Sequence, residues 1–144
     1  MEIFIDSADP QEIIRWMSCG IADGVTTNPS VMLKDKVFDL EDGSKGIARW
    51  IHPRPLSVEG TTDDPEEMLA QSILFASWAP NIVIKIPQEN QYGVPCYGVM
   101  NQLEKEGIKV NATVAMSFAQ VILSAKANAS YISIFWGRVG DEGG

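Results

Sequence analysis

Short β-branched runs alternate with helical patterns along the whole chain, and no other feature limits the possible folds so tightly. Ile3 to Asp6 reads as a strand, and Asp9-Pro10-Gln11-Glu12 opens a helix with an N-cap aspartate, proline at the first helical position and glutamate at the third. Gly20 ends that helix. Gly24-Val25-Thr26-Thr27-Asn28 is the next strand, halted by Pro29, and a weaker helical pattern from about Asp35 to Trp50 is interrupted by Gly43 and Gly46. Leu56-Ser57-Val58-Glu59 is a third strand. Asp64-Pro65-Glu66-Glu67 repeats the first cap pattern and opens a helix with Met68, Leu69, Ile73 and Ala76 on one expected face. A fourth strand, Asn81 to Pro87, leads through a loop with Gly93 and Pro95 to a helix ending at Glu106-Gly107. Lys109 to Thr113 is the fifth strand, Ser117 caps a helix with Val121, Ile122 and Ala125 at helical spacing, and Tyr131 to Trp136 is the sixth. About six β/α units in a row imply a parallel sheet with helical crossovers.

Two architectures share that signature, an open doubly wound sheet and a closed (β/α) barrel. Side-chain parity separates them, because successive strand residues point to opposite faces. Parity groups Phe4 with Asp6, Thr26 with Asn28, Ser57 with Glu59, Val83 with Lys85, Asn111 with Thr113, and Ser133 with Phe135. In each strand a mostly polar set thus lies on one face near the C-terminal end. An open sheet covered by helices on both sides should lack such a face, whereas a barrel carries its active site at the C-terminal mouth. The first strand is also followed by no glycine-rich dinucleotide fingerprint. The expected fold is therefore α/β, a parallel β/α barrel rather than an open sheet, as a single domain over residues 1–144.

Chemistry concentrates in the fourth strand, Asn81-Ile82-Val83-Ile84-Lys85-Ile86-Pro87. A lysine inside such a run must reach water, pair with a carboxylate, or lose its proton, since desolvation disfavours the charged form. A neutral amine is the nucleophile that forms Schiff bases with carbonyl compounds. Alone, Lys85 would read as an edge-strand lysine snorkelling to solvent. The shared parity of Asp6, Thr26, Asn28, Glu59, Lys85, Asn111, Thr113 and Ser133 favours a catalytic cup instead.

Charge and cysteine usage exclude several alternatives. A net charge of −8 without a basic cluster argues against nucleic acid or an anionic membrane surface as partner. Cys19 and Cys96 fit neither a metal-ligand spacing nor a disulfide framework, so a cytoplasmic setting is expected. His52, beside Pro53, reads as a loop residue rather than a ligand or base. No run is apolar for long enough to be a membrane-spanning helix, and no signal peptide is expected.

Five segments carry a family resemblance. Phe4-Ile5-Asp6, Gly24-Val25-Thr26-Thr27-Asn28-Pro29-Ser30, Val83-Ile84-Lys85-Ile86-Pro87, Asn111-Ala112-Thr113 with Ser117-Phe118-Ala119-Gln120, and Ser133-Ile134-Phe135-Trp136-Gly137-Arg138 resemble, in order, the small-subunit transaldolase and fructose-6-phosphate aldolase family. The resemblance implies a fold of the (β/α)8 TIM-barrel type, class I aldolase chemistry through a lysine Schiff base, sugar-phosphate substrates, no metal, no organic cofactor, and a homo-oligomer in the full-length form. Within that family the chain is more similar to transaldolases, of the pentose phosphate pathway, than to dedicated aldolases. Position 59 is Glu where the aldolases have Gln, position 135 is Phe where they have Tyr, and position 111 is Asn where they are apolar.

Residue by residue, the resemblance implies Lys85 as Schiff-base nucleophile, Asp6 as general base, and Glu59 with Thr113 as holders of the water used in carbinolamine formation and breakdown. It implies Thr26, Asn28, Asn111, Ser133 and Phe135 as substrate contacts and Arg138 as the phosphate clamp. A barrel of this type has eight β/α units and usually about 200 residues or more. About six units are present here, so the expectation is a fragment of a longer product or a barrel whose wall another chain completes. A fructose-6-phosphate aldolase, or an inactive shortened barrel serving as a binding module, are the alternative readings. The Gln88–Cys96 loop is longer than the resemblance leads one to expect.

Overall fold

The computed structural model describes residues 1–134. Among them are six strands and six helices in the order β1 (Phe4–Asp6), α1 (Pro10–Ser18), β2 (Gly24–Thr26), α2 (Pro29–Lys34), α3 (Leu40–Ile51), β3 (Leu56–Glu59), α4 (Pro65–Ala76), β4 (Ile82–Pro87), α5 (Tyr97–Lys105), β5 (Val110–Ala115), α6 (Phe118–Lys126) and β6 (Tyr131–Ile134). The strands follow chain order, β1-β2-β3-β4-β5-β6, in one sheet. The pairs β1–β2, β2–β3 and β5–β6 are parallel. This is the α/β-barrel type of fold, represented among the described residues by six strands and the helices that connect them. The chain divides into two compact units, one of residues 1–61 with 74–84, the other of residues 62–73 with 85 onward.

In the first unit the helix starts are fixed locally. The Asp9 carboxylate accepts from the Gln11 N–H at 2.9 Å, the Asn28 side-chain oxygen from the Val31 N–H at 2.9 Å, and Asp39 from the Asp42 N–H at 2.8 Å. Each satisfies a donor that the first helical turn leaves unpaired, a contribution of about 1 kcal/mol per cap. The Asn28 cap opens a short helix, α2, directly after β2, where the sequence indicated only a strand stopped by Pro29. Ile13, Val25, Ile47, Ala48, Leu56 and Val58 are buried. Gly24 is required by close approach: a Cβ there would lie 2.7 Å from the Pro55 carbonyl oxygen. Gly43 does not interrupt α3. A Cβ at 43 would fall 2.2 Å from Val37 Cγ1, so the glycine lets the preceding turn fold down onto the helix.

The second unit is tied by side chains reaching backbone. One Glu104 carboxylate oxygen accepts from the N–H of Val110, at the start of β5, and from that of Ser130, just before β6, both at 2.8 Å. Asn90 organises the loop after β4. Its side-chain oxygen accepts from the Tyr92 and Val94 N–H groups at 2.9 Å, and its amide donates to the Asp63 carbonyl. Ile86, Met100, Leu103, Val110 and Ala112 are buried. Between β5 and β6 the register slips at a β-bulge between Ala112 and Ala115, and Val114 there has φ 59°.

Two helix faces differ from the expectation. On α4 the buried residues are Met68, Ser72 and Phe75, while Ile73 is 44% exposed. On α6 Ser124 is buried, together with Ala127 just past its end, and Ile122 is 47% exposed. Both serines are polar, which hides these faces from a hydrophobic pattern. Ser72 donates to the Met68 carbonyl at 2.6 Å and Ser124 to that of Gln120 at 2.9 Å, so each hydroxyl enters the interior already bonded.

Candidate active site

The candidate residues of the first unit gather at the C-terminal ends of β1, β2 and β3. Register places Asp6 beside Thr26 and Thr26 beside Ser57, so the three share a face as parity required. Thr26 Oγ1 donates to Asp6 Oδ1 at 2.9 Å. This bond leaves the exposed carboxylate held from one side, a suitable arrangement for a proton acceptor. Glu59 is the last residue of β3 and is half-buried. Asn28 has a structural task as well, since its side-chain oxygen caps α2. Only its amide N–H groups then remain outside that cap.

The candidate residues of the second unit lie on β4, β5 and β6. Lys85 is 7% exposed in a strand whose residues from Ile82 to Ile86 are all buried. Asn111 and Thr113 are each 1% exposed. Asn111 stands in register with Tyr131, so Ser133, two residues on, shares its face. Ser133 Oγ donates to Asn111 Oδ1 at 2.8 Å, which sets the orientation of the amide: carbonyl toward the serine, N–H groups turned away from it. Phe135 and Arg138 lie outside the described residues.

Sequence reasoning missed Gln88. It is 2% exposed; its Nε2 donates to the Thr113 carbonyl at 3.1 Å, and its Oε1 accepts from Ser124 Oγ at 2.9 Å. The Cys96 N–H in turn donates to the Gln88 carbonyl at 3.0 Å. Gln88 therefore anchors Thr113, the loop after β4 and α6 at one point. Its position directly after the strand-ending Pro87 was the one available signal. Burial, followed by the carboxylates of Asp63 and Glu89, pushes the Cys96 thiol upward, which opposes formation of the reactive thiolate. Among the described residues no cluster of His, Cys, Asp and Glu is placed to hold a metal ion, and no helix is long and apolar enough to cross a membrane.

A family model described as Transaldolase/Fructose-6-phosphate aldolase matches residues 3–143. The chain belongs to that family. A protein named "Probable transaldolase" from Dehalococcoides mccartyi is 38% identical over 143 residues, covering 99% of this chain and 64% of its own length. One of the same name from Lactiplantibacillus plantarum is 42% identical over 144 residues, covering 100% of this chain and 64% of its own. The family member described here thus spans about 64% of the length of these relatives. Among solved structures, a protein assigned as a phosphonomutase from Burkholderia cenocepacia J2315 superposes with a TM-score of 0.64 at 13% identity. That match covers 92% of this chain and 68% of the other, and it bears on the fold alone.

Proposed function

We propose that this chain carries the covalent centre of a transaldolase that moves a dihydroxyacetone unit between sugar phosphates through a Schiff base on Lys85. The observation that carries the reading is the placement of Lys85 in β4, 7% exposed among aliphatic neighbours, in a member of a transaldolase and aldolase family. A lysine amine positioned on a strand is the group that forms Schiff bases with carbonyl substrates.

In the proposed reaction, Lys85 as free base attacks the ketone of a ketose phosphate such as fructose 6-phosphate or sedoheptulose 7-phosphate. Glu59 and Thr113 hold the water that leaves as the carbinolamine dehydrates to a cationic Schiff base. Asp6, steadied by Thr26, removes the proton of the hydroxyl next to the breaking carbon–carbon bond, whose electrons flow into the iminium. An aldose phosphate departs. The dihydroxyacetone enamine left on Lys85 is bound by Asn28, Asn111 and Ser133, while Phe135 offers it no proton and Arg138 holds the phosphate of the acceptor. Attack on that acceptor aldehyde and hydrolysis complete the transfer. The setting proposed is the pentose phosphate pathway in the cytoplasm, without cofactor, the full-length form being a homo-oligomer.

Borohydride reduction in the presence of fructose 6-phosphate tests the reading. The expected product is a three-carbon adduct on the peptide containing Lys85, absent from the K85M variant. Folded protein that acquires no adduct would overturn it. Free dihydroxyacetone released without any acceptor would assign the chain to the aldolase branch instead.

A further inference from the structure

The backbone of β5 is irregular where it carries Thr113. Its pairing with β6 slips between Ala112 and Ala115, and Val114 stands at φ 59°, a left-handed conformation that side-chain branching at Cβ disfavours. Such a conformation persists where the surrounding structure over-determines it, and conformations of this kind cluster at functional sites. Gln88 reaches this point from the end of β4. Its Nε2 donates to the Thr113 carbonyl at 3.1 Å, and that carbonyl belongs to the peptide joining Thr113 to Val114. The bond therefore fixes the peptide plane on which the direction of the Thr113 side chain depends.

The amide has one usable orientation. A carbonyl only accepts, so the nitrogen of Gln88 must face Thr113 and its oxygen Ser124, whose Oγ lies 2.9 Å away. The main chain of Gln88 is pinned as well, its carbonyl accepting from the Cys96 N–H at 3.0 Å. Gln88 follows Pro87, the last residue of β4, three positions beyond Lys85. A buried glutamine held at both ends thus ties the strand of the proposed nucleophile to the residue given the task of holding water. We propose that Gln88 is a positioning residue for the Schiff-base steps: by holding the Thr113 peptide it aims the Thr113 hydroxyl at the water exchanged on Lys85. The inference rests on the transaldolase reading above. In those steps a carbinolamine takes up a proton, loses water and becomes the cationic Schiff base, and hydrolysis is the reverse. No carbon–carbon bond is involved, so Gln88 governs the rates of these steps and leaves sugar binding alone.

Dihydroxyacetone is the probe that isolates these steps, because it forms the lysine adduct without any carbon–carbon cleavage. The full chain is incubated with it and quenched with borohydride at timed intervals, and the adduct on the peptide containing Lys85 is quantified by mass spectrometry. Q88M keeps the length of the side chain and removes its donor and its acceptor. It is expected to slow adduct formation at saturating dihydroxyacetone by about 10–100-fold, with the half-saturating concentration within about twofold of wild type. T113V should be slowed comparably, and Q88M/T113V should be no slower than T113V alone, within about twofold. A glutamine that merely supported the fold would add its own penalty to that of T113V. S124A, which preserves the helix propensity of α6, should slow the adduct by about two- to tenfold and lose that effect in the T113V background; it carries the test should Q88M fail to fold. Wild-type protein that forms no adduct overturns the transaldolase reading and this inference together. A wild-type adduct accompanied by an unchanged rate in folded Q88M or in S124A, or by penalties that multiply with T113V, overturns the role of Gln88 alone.

Discussion

Two hydrogen bonds in this molecule have the same form, a hydroxyl on one parallel strand donating to an acceptor on its neighbour. Thr26 donates to Asp6 between β2 and β1, and Ser133 donates to Asn111 between β6 and β5. Their surroundings differ. Asp6 is exposed and charged, whereas Asn111 is a neutral amide 1% exposed. An exposed hydrogen bond competes with water and adds little to stability, while a buried amide that loses its partner leaves a desolvated group unpaired. In the proposed reaction the first bond steadies a base, whereas the second, besides presenting the Asn111 amide, ties β5 to β6.

The contrast is sharpest for activity at Asp6. Asp6→Asn keeps the size and the acceptor oxygen but removes the base; transaldol turnover is expected to fall by about 10²–10⁴-fold, with urea stability within about 0.5 kcal/mol of wild type. A large loss of stability in this variant would break the distinction. Asn111→Ala, beyond any loss of substrate binding, should lower unfolding free energy by about 1–3 kcal/mol, measured by denaturant titration. Were it no more destabilising than Asp6→Asn, the buried bond would have no structural weight. Thr26→Val, which keeps shape and removes the donor, should change stability by about 0.5–1.5 kcal/mol at most, and Thr26→Ser should restore whatever turnover it loses.

The smallest effect extends the comparison to the two thiols. Cys19 is exposed and Cys96 buried, so a thiol reagent should modify Cys19 promptly on native protein and Cys96 only after unfolding. The Cys96 thiol is raised above its ordinary value of 9.0 by burial and by Asp63 and Glu89. Above that pH the unfolded chain loses the proton while the native chain keeps it. The associated stability is therefore complete at neutral pH and is lost as pH rises from the ordinary value toward the raised one. Cys96→Ala should remove that alkaline decline; an unchanged slope would show that the thiol does not contribute to it.

What could be read from the residues was local in origin. The Asp9 and Ser117 caps, the turns at Gly20 and Gly107, and the strand parity that sets Asp6 beside Thr26 depend on neighbours a few positions away or on strict alternation, and all appear as expected. What escaped depends on partners far along the chain. Gly43 looked like a helix breaker because Val37 packs where its side chain would be. The inner faces of α4 and α6 were misassigned because Ser72 and Ser124 are polar by composition yet satisfied in place. Gln88 was overlooked because its partners, Thr113 and Ser124, stand 25 and 36 residues away. The run from Asn81 to Pro87 marked a buried strand, and five of the six residues of β4 are buried. Alone it left Lys85 reading as an edge lysine reaching solvent; only the parity shared with the other strands favoured the buried placement, at 7% exposure, that is found.

Between Ala112 and Ala115, β5 advances three residues while β6 advances two, from Ile132 to Ile134. The odd–even rule consequently changes phase within the strand. Ala115, odd-numbered like Asn111 and Thr113, comes level with Ile134 and so belongs to the face of Ala112. Val114 takes up the offset in a left-handed conformation that is unfavourable for a β-branched residue. Thr113 is thus the last odd position on β5 to look the way Asn111 does, and the polar row on that strand ends there by backbone geometry rather than by a change of residue type.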